Sequence, residues 1–217
     1  GISMKTLYLI RHGETDHNRA GLAMGHLDSP LNEQGLRQAG QTAAWLRRHP
    51  IARILSSDLA RARDTAAPLA EALGLSVEPD PRLRELSFGI FEGRSIPDCE
   101  QEHPEIVARW RSGEFDFAPP GGESRRALMQ RTRAVLDEML AAPEEHIALI
   151  THGGTLNALH THLIEDGHPE APRERIHRAF RFHNASVSMA AHASDHWRFL
   201  VVNSTFHLDE EPRQLLH

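Results

Sequence analysis

Residues 7–18 read LYLIRHGETDHN, an apolar run that stops in arginine, histidine and glycine. Residues 148–155 read ALITHGGT, where a second apolar run ends in histidine and glycine. A guanidinium at the tip of a core strand needs an anionic partner to offset its desolvation, so Arg11 is read as facing an anion. Ligands of open α/β sheets sit beyond the carboxyl ends of the strands, against the first turns of the following helices. His12 and His152 both stand at such an end. Gly13, Gly153 and Gly154 are read as clearing side chains from where a ligand approaches the backbone. Residues 56–66, SSDLARARDTA, add Arg61 and Arg63 in the first turns of a helix that follows another strand. Periodicity puts Ala62, Ala66, Leu69 and Leu73 on the buried face but leaves open which arginine turns inward.

Two arginines and two histidines on one concave edge describe a site for a dianionic phosphate. The planar arginine fork can give two parallel hydrogen bonds to phosphate oxygens. A neutral imidazole is a competent nucleophile near pH 7, and attack on phosphorus would give a phosphohistidine that water later hydrolyses. The remaining cations would stabilise charge on the equatorial oxygens, which is most of what phosphoryl transfer demands of a protein. The leaving alkoxide needs a proton, and residues 82–93, RLRELSFGIFEG, offer Glu85 and Glu92. A carboxyl held against Leu86 and Phe88 would serve as general acid; the alternative is a surface carboxylate paired with Arg82 or Arg84.

These residues need a scaffold. Short β-rich apolar runs at 5–11, 51–56, 146–151, 186–191 and 197–203 are the expected strands. Helical patterns fall at 32–48, capped by Asn32, at 58–73, opening on Asp58 and closing at Gly74, and at 123–141 and 154–165. Strands alternating with helices imply an α/β fold: a three-layer α/β/α sandwich around a mostly parallel sheet. Residues 92–122 break the rhythm with Pro97, Pro104, Pro119, Pro120, Trp110, Phe115 and Phe117. They read as an inserted helical lid or specificity segment. No Gly/Ser tract divides the chain, so residues 4–217 are expected to form a single domain, with Gly1 to Ser3 an expression remnant before Met4.

At 217 residues such a domain buries about 70% of its unfolded surface. A formal net charge of −6 gives no general attraction to nucleic acid or anionic membrane, so anion binding must be local. The single Cys99 cannot form an internal disulfide. No apolar stretch approaches a membrane span, and a cytoplasmic enzyme is expected, monomer or homodimer. Sixteen histidines invite a metal hypothesis, but His160 and His162, two apart on a helix, point to different faces and read as solvated or packing side chains. His177, His183, His192 and His196 lack a zinc pattern. The basic cluster Arg173, Arg175, His177, Arg178 and Arg181 reads as a solvated face, with an acidic partner or second phosphate as the alternative.

The motif LIRHGET with Asn18 resembles the opening of the histidine phosphatase superfamily, the phosphoglycerate mutase-like family. The similarity runs on through GHLDSPLNEQGLRQA, SSDLARARDTA, LRELSFGIFEG, PPGGES, ITHGG and NSTFHL. The resemblance implies a phosphoglycerate mutase-like fold, His12 as the phosphorylated nucleophile and Glu85 as the proton donor. It implies a phosphate pocket of Arg11, Arg61 and His152, selecting Arg61 over Arg63, with Asn18 and the backbone of Gly153 beside the phosphate. It also implies that no metal or other cofactor is needed and that the partner is a small-molecule phosphate ester. Mutases of the family carry GxLxGLNK after the acid, where this chain has GIFEGRSIPD and no matching lysine. That departure favours a phosphatase, similar to the bacterial broad-specificity and α-ribazole phosphatases, over a 2,3-bisphosphoglycerate-dependent mutase. A non-catalytic phospholigand-binding module is the different-class alternative; both histidines and Glu85 argue against it.

Overall fold

The computed structural model describes residues 4–167, 181–193 and 196–209. Among these, strands β1 (Lys5–Arg11), β2 (Arg53–Ser56), β3 (Val77–Pro79), β4 (His146–Thr151), β5 (Val187–Ala193) and β6 (His196–Ser204) form one sheet in the order β3-β2-β4-β1-β5-β6. The first four in that order are parallel; β5 and β6 run antiparallel. The mostly parallel sheet expected from the alternating pattern is therefore present. It carries an antiparallel edge that the sequence pattern does not reveal.

Alternating side chains of β1 point to opposite faces and meet different helices. Leu7 and Leu9 pack with Leu149 against Val135, Leu136 and Met139 of α6 (Arg125–Ala141) and Leu156 and Leu159 of α7 (Gly153–Gly167). Tyr8 and Ile10 pack with Ala148 and Ile150 against Ala43 and Leu46 of α2 (Glu33–Leu46) and Ala62, Ala66 and Leu69 of α3 (Ala60–Leu73). Burial on both faces is what makes these strands read as continuous apolar runs. The result is the three-layer sandwich.

Asn32 caps α2 as expected, its side chain accepting from Gly35 N–H at 2.9 Å. Asp58 does not cap α3. The helix starts at Ala60, whose N–H donates to Asp28 Oδ1 at 2.9 Å, while Asp58 accepts from Arg84 Nε and Nη2 at 2.6 and 2.7 Å. Those charged contacts hold the Asp58 carboxyl below the usual carboxylate range. Gly74 closes α3 in the left-handed conformation, φ 66°. Two short elements escape periodicity: α1 (Asp16–Ala20), built on a Thr15–Asn18 capping box, and the three-residue β3.

The inserted segment is helical, with α4 (Ile96–Glu102) and α5 (Pro104–Ser112). Phe91, buried Cys99 and Val107 make a small separate core against which Trp110 packs. Phe117 lies 4.5 Å beneath the Arg109 guanidinium and Phe115 lies 4.9 Å beneath Arg126. His160 and His162 are both buried, so the solvated half of that expectation is wrong. His160 Nδ1 donates to Leu156 O, and His162 Nε2 lies 3.0 Å from both Met129 O and Thr132 Oγ1. Among the described residues no group of three His, Cys, Asp or Glu side chains is placed to hold a metal ion. No described helix is long and apolar enough to cross a membrane. The basic cluster 173–181 lies, Arg181 excepted, outside the described residues.

Candidate active site

The two histidine endings meet because their strands are neighbours in matched register. In the parallel β1–β4 ladder Arg11 pairs with Thr151, so the next residue of each chain segment, His12 and His152, leaves the sheet at the same edge. His12 N–H continues the ladder to Thr151 O at 3.0 Å, and the two ring centroids are 5.1 Å apart. Ser56 of β2 pairs with Ile150, which delivers Ser57 and then α3 to the same place. Arg61 of α3 is buried there, while Arg63 is exposed.

Hydrogen bonding assigns the two imidazoles. His12 Nδ1 lies 2.7 Å from Gly13 O, and a carbonyl only accepts, so Nδ1 carries the proton and Nε2 keeps its lone pair. His152 is the reverse. Its Nδ1 accepts from Arg61 Nε–H at 3.2 Å, so Nε2 bears the proton and donates to Ser57 Oγ at 2.8 Å. Burial holds both histidines well below the usual imidazole pKa, and the Arg11 and Arg61 charges push the same way. Both rings are neutral at pH 7.

The arginines are fixed from behind. Arg61 gives Nη1 to Leu27 O at 2.6 Å and Nη2 to Gly25 O at 2.7 Å, besides Nε to His152. Burial lowers its pKa to about 10, opposed by the Glu85 and Asp28 charges, so it stays cationic at neutral pH. Arg11 gives Nη1 to Phe182 O at 2.5 Å, and its buried Nε has no partner among the described residues. Burial lowers the Arg11 pKa and Glu85 opposes that shift. A buried, unpartnered guanidinium N–H beside a second arginine suits an incoming anion.

Glu85 sits opposite, Oε1 accepting from Leu86 N–H at 2.8 Å and Oε2 from Gly154 N–H at 2.9 Å. Its loop is clamped by Arg131 on α6, which donates to the carbonyls of Arg82, Arg84 and Glu85 and pairs with Glu123. The surface-pair alternative for Glu85 is thereby corrected: Arg84 bonds Asp58, and Arg82 bonds Asp80 and Glu138.

Gly13 and Gly154 do not have the role expected of them, because protein atoms occupy the space they clear. A Cβ on Gly154 would stand 2.5 Å from Glu85 Oε1, and one on Gly13 would stand 2.6 Å from Gly35 O of α2. At Gly153 an added Cβ would stand in ordinary contact, 3.7 Å, with Arg11 Nε, so protein does not fill the space there. Gly13 lets the end of β1 close on α2, and Gly154 lets the end of β4 close on the acid.

Asn18 is held by α1. Its Oδ1 accepts from Thr15 N–H, Thr15 Oγ1 and Asn184 Nδ2, each at 3.1 Å, which leaves the Nδ2 donor for another acceptor. Asn184 also donates to His12 O at 3.2 Å. Sequence reasoning missed Asn184, which lies far along the chain with no local pattern. It passed over Ser57, although that residue stands within SSDLARARDTA. His26, whose Nε2 donates to Glu85 O at 2.8 Å, is in GHLDSPL and could have been flagged there.

A histidine with a free Nε2 lone pair, a second histidine, the buried Arg61, the half-buried Arg11 and a carboxylate thus gather at one sheet edge. This chain belongs to the histidine phosphatase superfamily (branch 1), whose profile matches residues 7–205. A "probable phosphoglycerate mutase" of Yersinia pestis is 37% identical over 195 residues, which is 89% of this chain and 88% of the relative. The solved structure of a mycobacterial glucosyl-3-phosphoglycerate phosphatase with VO3 superposes with a TM-score of 0.82 at 32% identity, covering 93% of this chain and all of that one. The α-ribazole phosphatase of Shigella flexneri gives 0.79 at 32% identity, covering 92% and 96%.

Proposed function

We propose that this protein is a metal-independent phosphatase that hydrolyses small-molecule phosphate monoesters in the cytoplasm through a phosphohistidine at His12. The observation that carries the reading is the free Nε2 lone pair of His12, fixed by the Nδ1–Gly13 bond in a cage with buried Arg61 and half-buried Arg11. Nε2 attacks phosphorus, Glu85 gives the leaving alkoxide its proton, and a water activated by the same carboxylate then hydrolyses the P–N bond. Arg11, Arg61, Asn18 and the Gly153 backbone bear the charge on the equatorial oxygens, and His152 joins them when its Nε2–H turns from Ser57 Oγ to a phosphate oxygen. Residues 92–122 close over the leaving group. The solved phosphatases of similar fold support this branch.

A second reading, phosphoglycerate mutase, is favoured by the name of the Yersinia pestis relative. The position of the mutase lysine carries no ammonium here: it is Ile96, packed against the Phe91, Cys99 and Val107 core. Release of inorganic phosphate from a panel of monoesters, run beside 3-phosphoglycerate with 2,3-bisphosphoglycerate, tests both. Phosphate release without isomerisation supports the phosphatase; rapid isomerisation replaces it with the mutase; turnover of no ester under either condition leaves a binding module.

A further inference from the structure

Glu92 is outside the set of groups assigned to the reaction, yet its Oε1 collects three donors. It accepts from His26 N–H at 2.8 Å, from Phe88 N–H at 3.2 Å and from Ser87 Oγ at 3.5 Å. All three donors are neutral, and among the described residues no cation pairs with this carboxylate within salt-bridge distance. Its charge instead bears on Arg61, which it helps keep protonated.

The loop that Glu92 holds is the one that shapes the site. Gly25 O and Leu27 O accept the two terminal nitrogens of Arg61, and His26, between them, donates its Nε2–H to Glu85 O. Three consecutive residues thus touch the phosphate clamp on one side and the proton donor's backbone on the other. Glu92 fastens that loop to residues 87–88. Gly25 is shaped for the contact: its φ is +54°, and a Cβ there would collide with Glu92 Oε1 and come within 2.9 Å of Phe88 N.

We infer that Glu92 is a positioning residue, which through residues 25–27 sets Arg61 and Glu85 at the spacing that phosphate binding and proton delivery require. The inference rests on the proposed phosphatase reading for its consequence in turnover, but not for its consequence in phosphate binding.

The test measures binding of inorganic phosphate by calorimetry and hydrolysis of p-nitrophenyl phosphate by wild type, Glu92→Ala and Glu92→Gln, with melting temperatures recorded for each. Glu92→Ala is expected to weaken phosphate binding and kcat/KM by about tenfold or more, through an Arg61 no longer held in place. Glu92→Gln keeps an oxygen acceptor where Oε1 stands and is expected to recover most of the phosphate affinity. In an Arg61→Ala background, Glu92→Ala is expected to add less than about twofold, because residues acting as a unit are not additive.

Wild-type phosphate affinity in Glu92→Ala, whatever its melting temperature, overturns the inference. So does full additivity with Arg61→Ala, or a Glu92→Gln protein as weak as Glu92→Ala. If Glu92→Ala does not fold, Glu92→Asp, which keeps the charge but shortens the reach, carries the same expected loss. Glu92-dependent phosphate binding by a wild type that turns over no ester would remove the phosphatase reading and leave this inference standing.

Discussion

His12 and His152 stand with ring centroids 5.1 Å apart in opposite tautomers, His12 protonated on Nδ1 and His152 on Nε2. Gly13 O sets the first and Arg61 Nε–H sets the second. The pair therefore carries one lone pair and one N–H at Nε2, the N–H resting on Ser57 Oγ; in the proposed reaction the first is the nucleophile and the second turns to the transferred phosphoryl. Two histidines in the same tautomer would offer two of one and none of the other.

Ser57→Ala removes the acceptor of the His152 Nε2–H, where both side chains are buried. A buried donor left unsatisfied costs about 1–3 kcal/mol, and the ring loses the contact that orients Nε2 while Arg61 still holds Nδ1 as the acceptor. The expected result is a fall in kcat of roughly tenfold with a small change in KM. Steady-state kinetics on an aryl phosphate reads it; unchanged kcat contradicts the assignment.

Arg61→Lys is expected to be nearly as damaging as Arg61→Ala. Arg61 engages three separate acceptors through Nε, Nη1 and Nη2, and a lysine can reproduce neither that spread nor a two-pronged phosphate contact. Loss of about 100-fold or more in kcat/KM is anticipated for both variants. Retention of wild-type kcat/KM by the lysine variant would show that only the charge matters.

Gly154→Ala tests the acid. The added methyl would sit 2.5 Å from Glu85 Oε1 and displace the carboxylate. Alkyl phosphates, whose leaving group needs a proton, should lose more activity than p-nitrophenyl phosphate, whose leaving group needs little help. Equal losses on both substrates would mean that Glu85 does not protonate the leaving group.

Among the described residues four buried histidines tie stability to pH. Burial holds His12 and His152 well below 6.5 and lowers His160 and His162 to about 4. Their folded values lie under the unfolded value of about 6.5, so below that pH the unfolded chain binds more protons than the native one. Stability from these groups is complete above about pH 6.5 and is lost as pH falls from there toward about 4, at up to about 1.4 kcal/mol per pH unit per histidine. Denaturant unfolding at a series of pH values measures the slope. A protein equally stable at pH 7 and pH 5 would contradict the buried, neutral assignment.

The sequence exposed the site more readily than the packing that assembles it. Arg11 was legible because a guanidinium on the apolar run of β1 violates the local pattern, and His12 and His152 because both strands end alike. Their meeting depends on β1 and β4 being adjacent, a long-range pairing that no local window contains. The same limit hid Asn184, which reaches Asn18 from a sequence separation of 166 residues. Asp58 misled because an acidic residue before an apolar helix looks like a cap, whereas Arg84 competes for it with a charged pair. Gly13 and Gly154 misled in a different way: open space beside a strand end can be filled by a ligand or by protein, and only the fold says which.

A phosphoryl group on the histidine itself tests the central claim most directly. Rapid quenching of the enzyme during turnover of a phosphate monoester, at alkaline pH where phosphohistidine survives, followed by peptide mass spectrometry, locates the modified residue. The account predicts a phosphoryl group on His12, and neither the modification nor turnover in His12→Ala. Phosphoryl transfer to His152 or Ser57, or undiminished hydrolysis by His12→Ala, would contradict it.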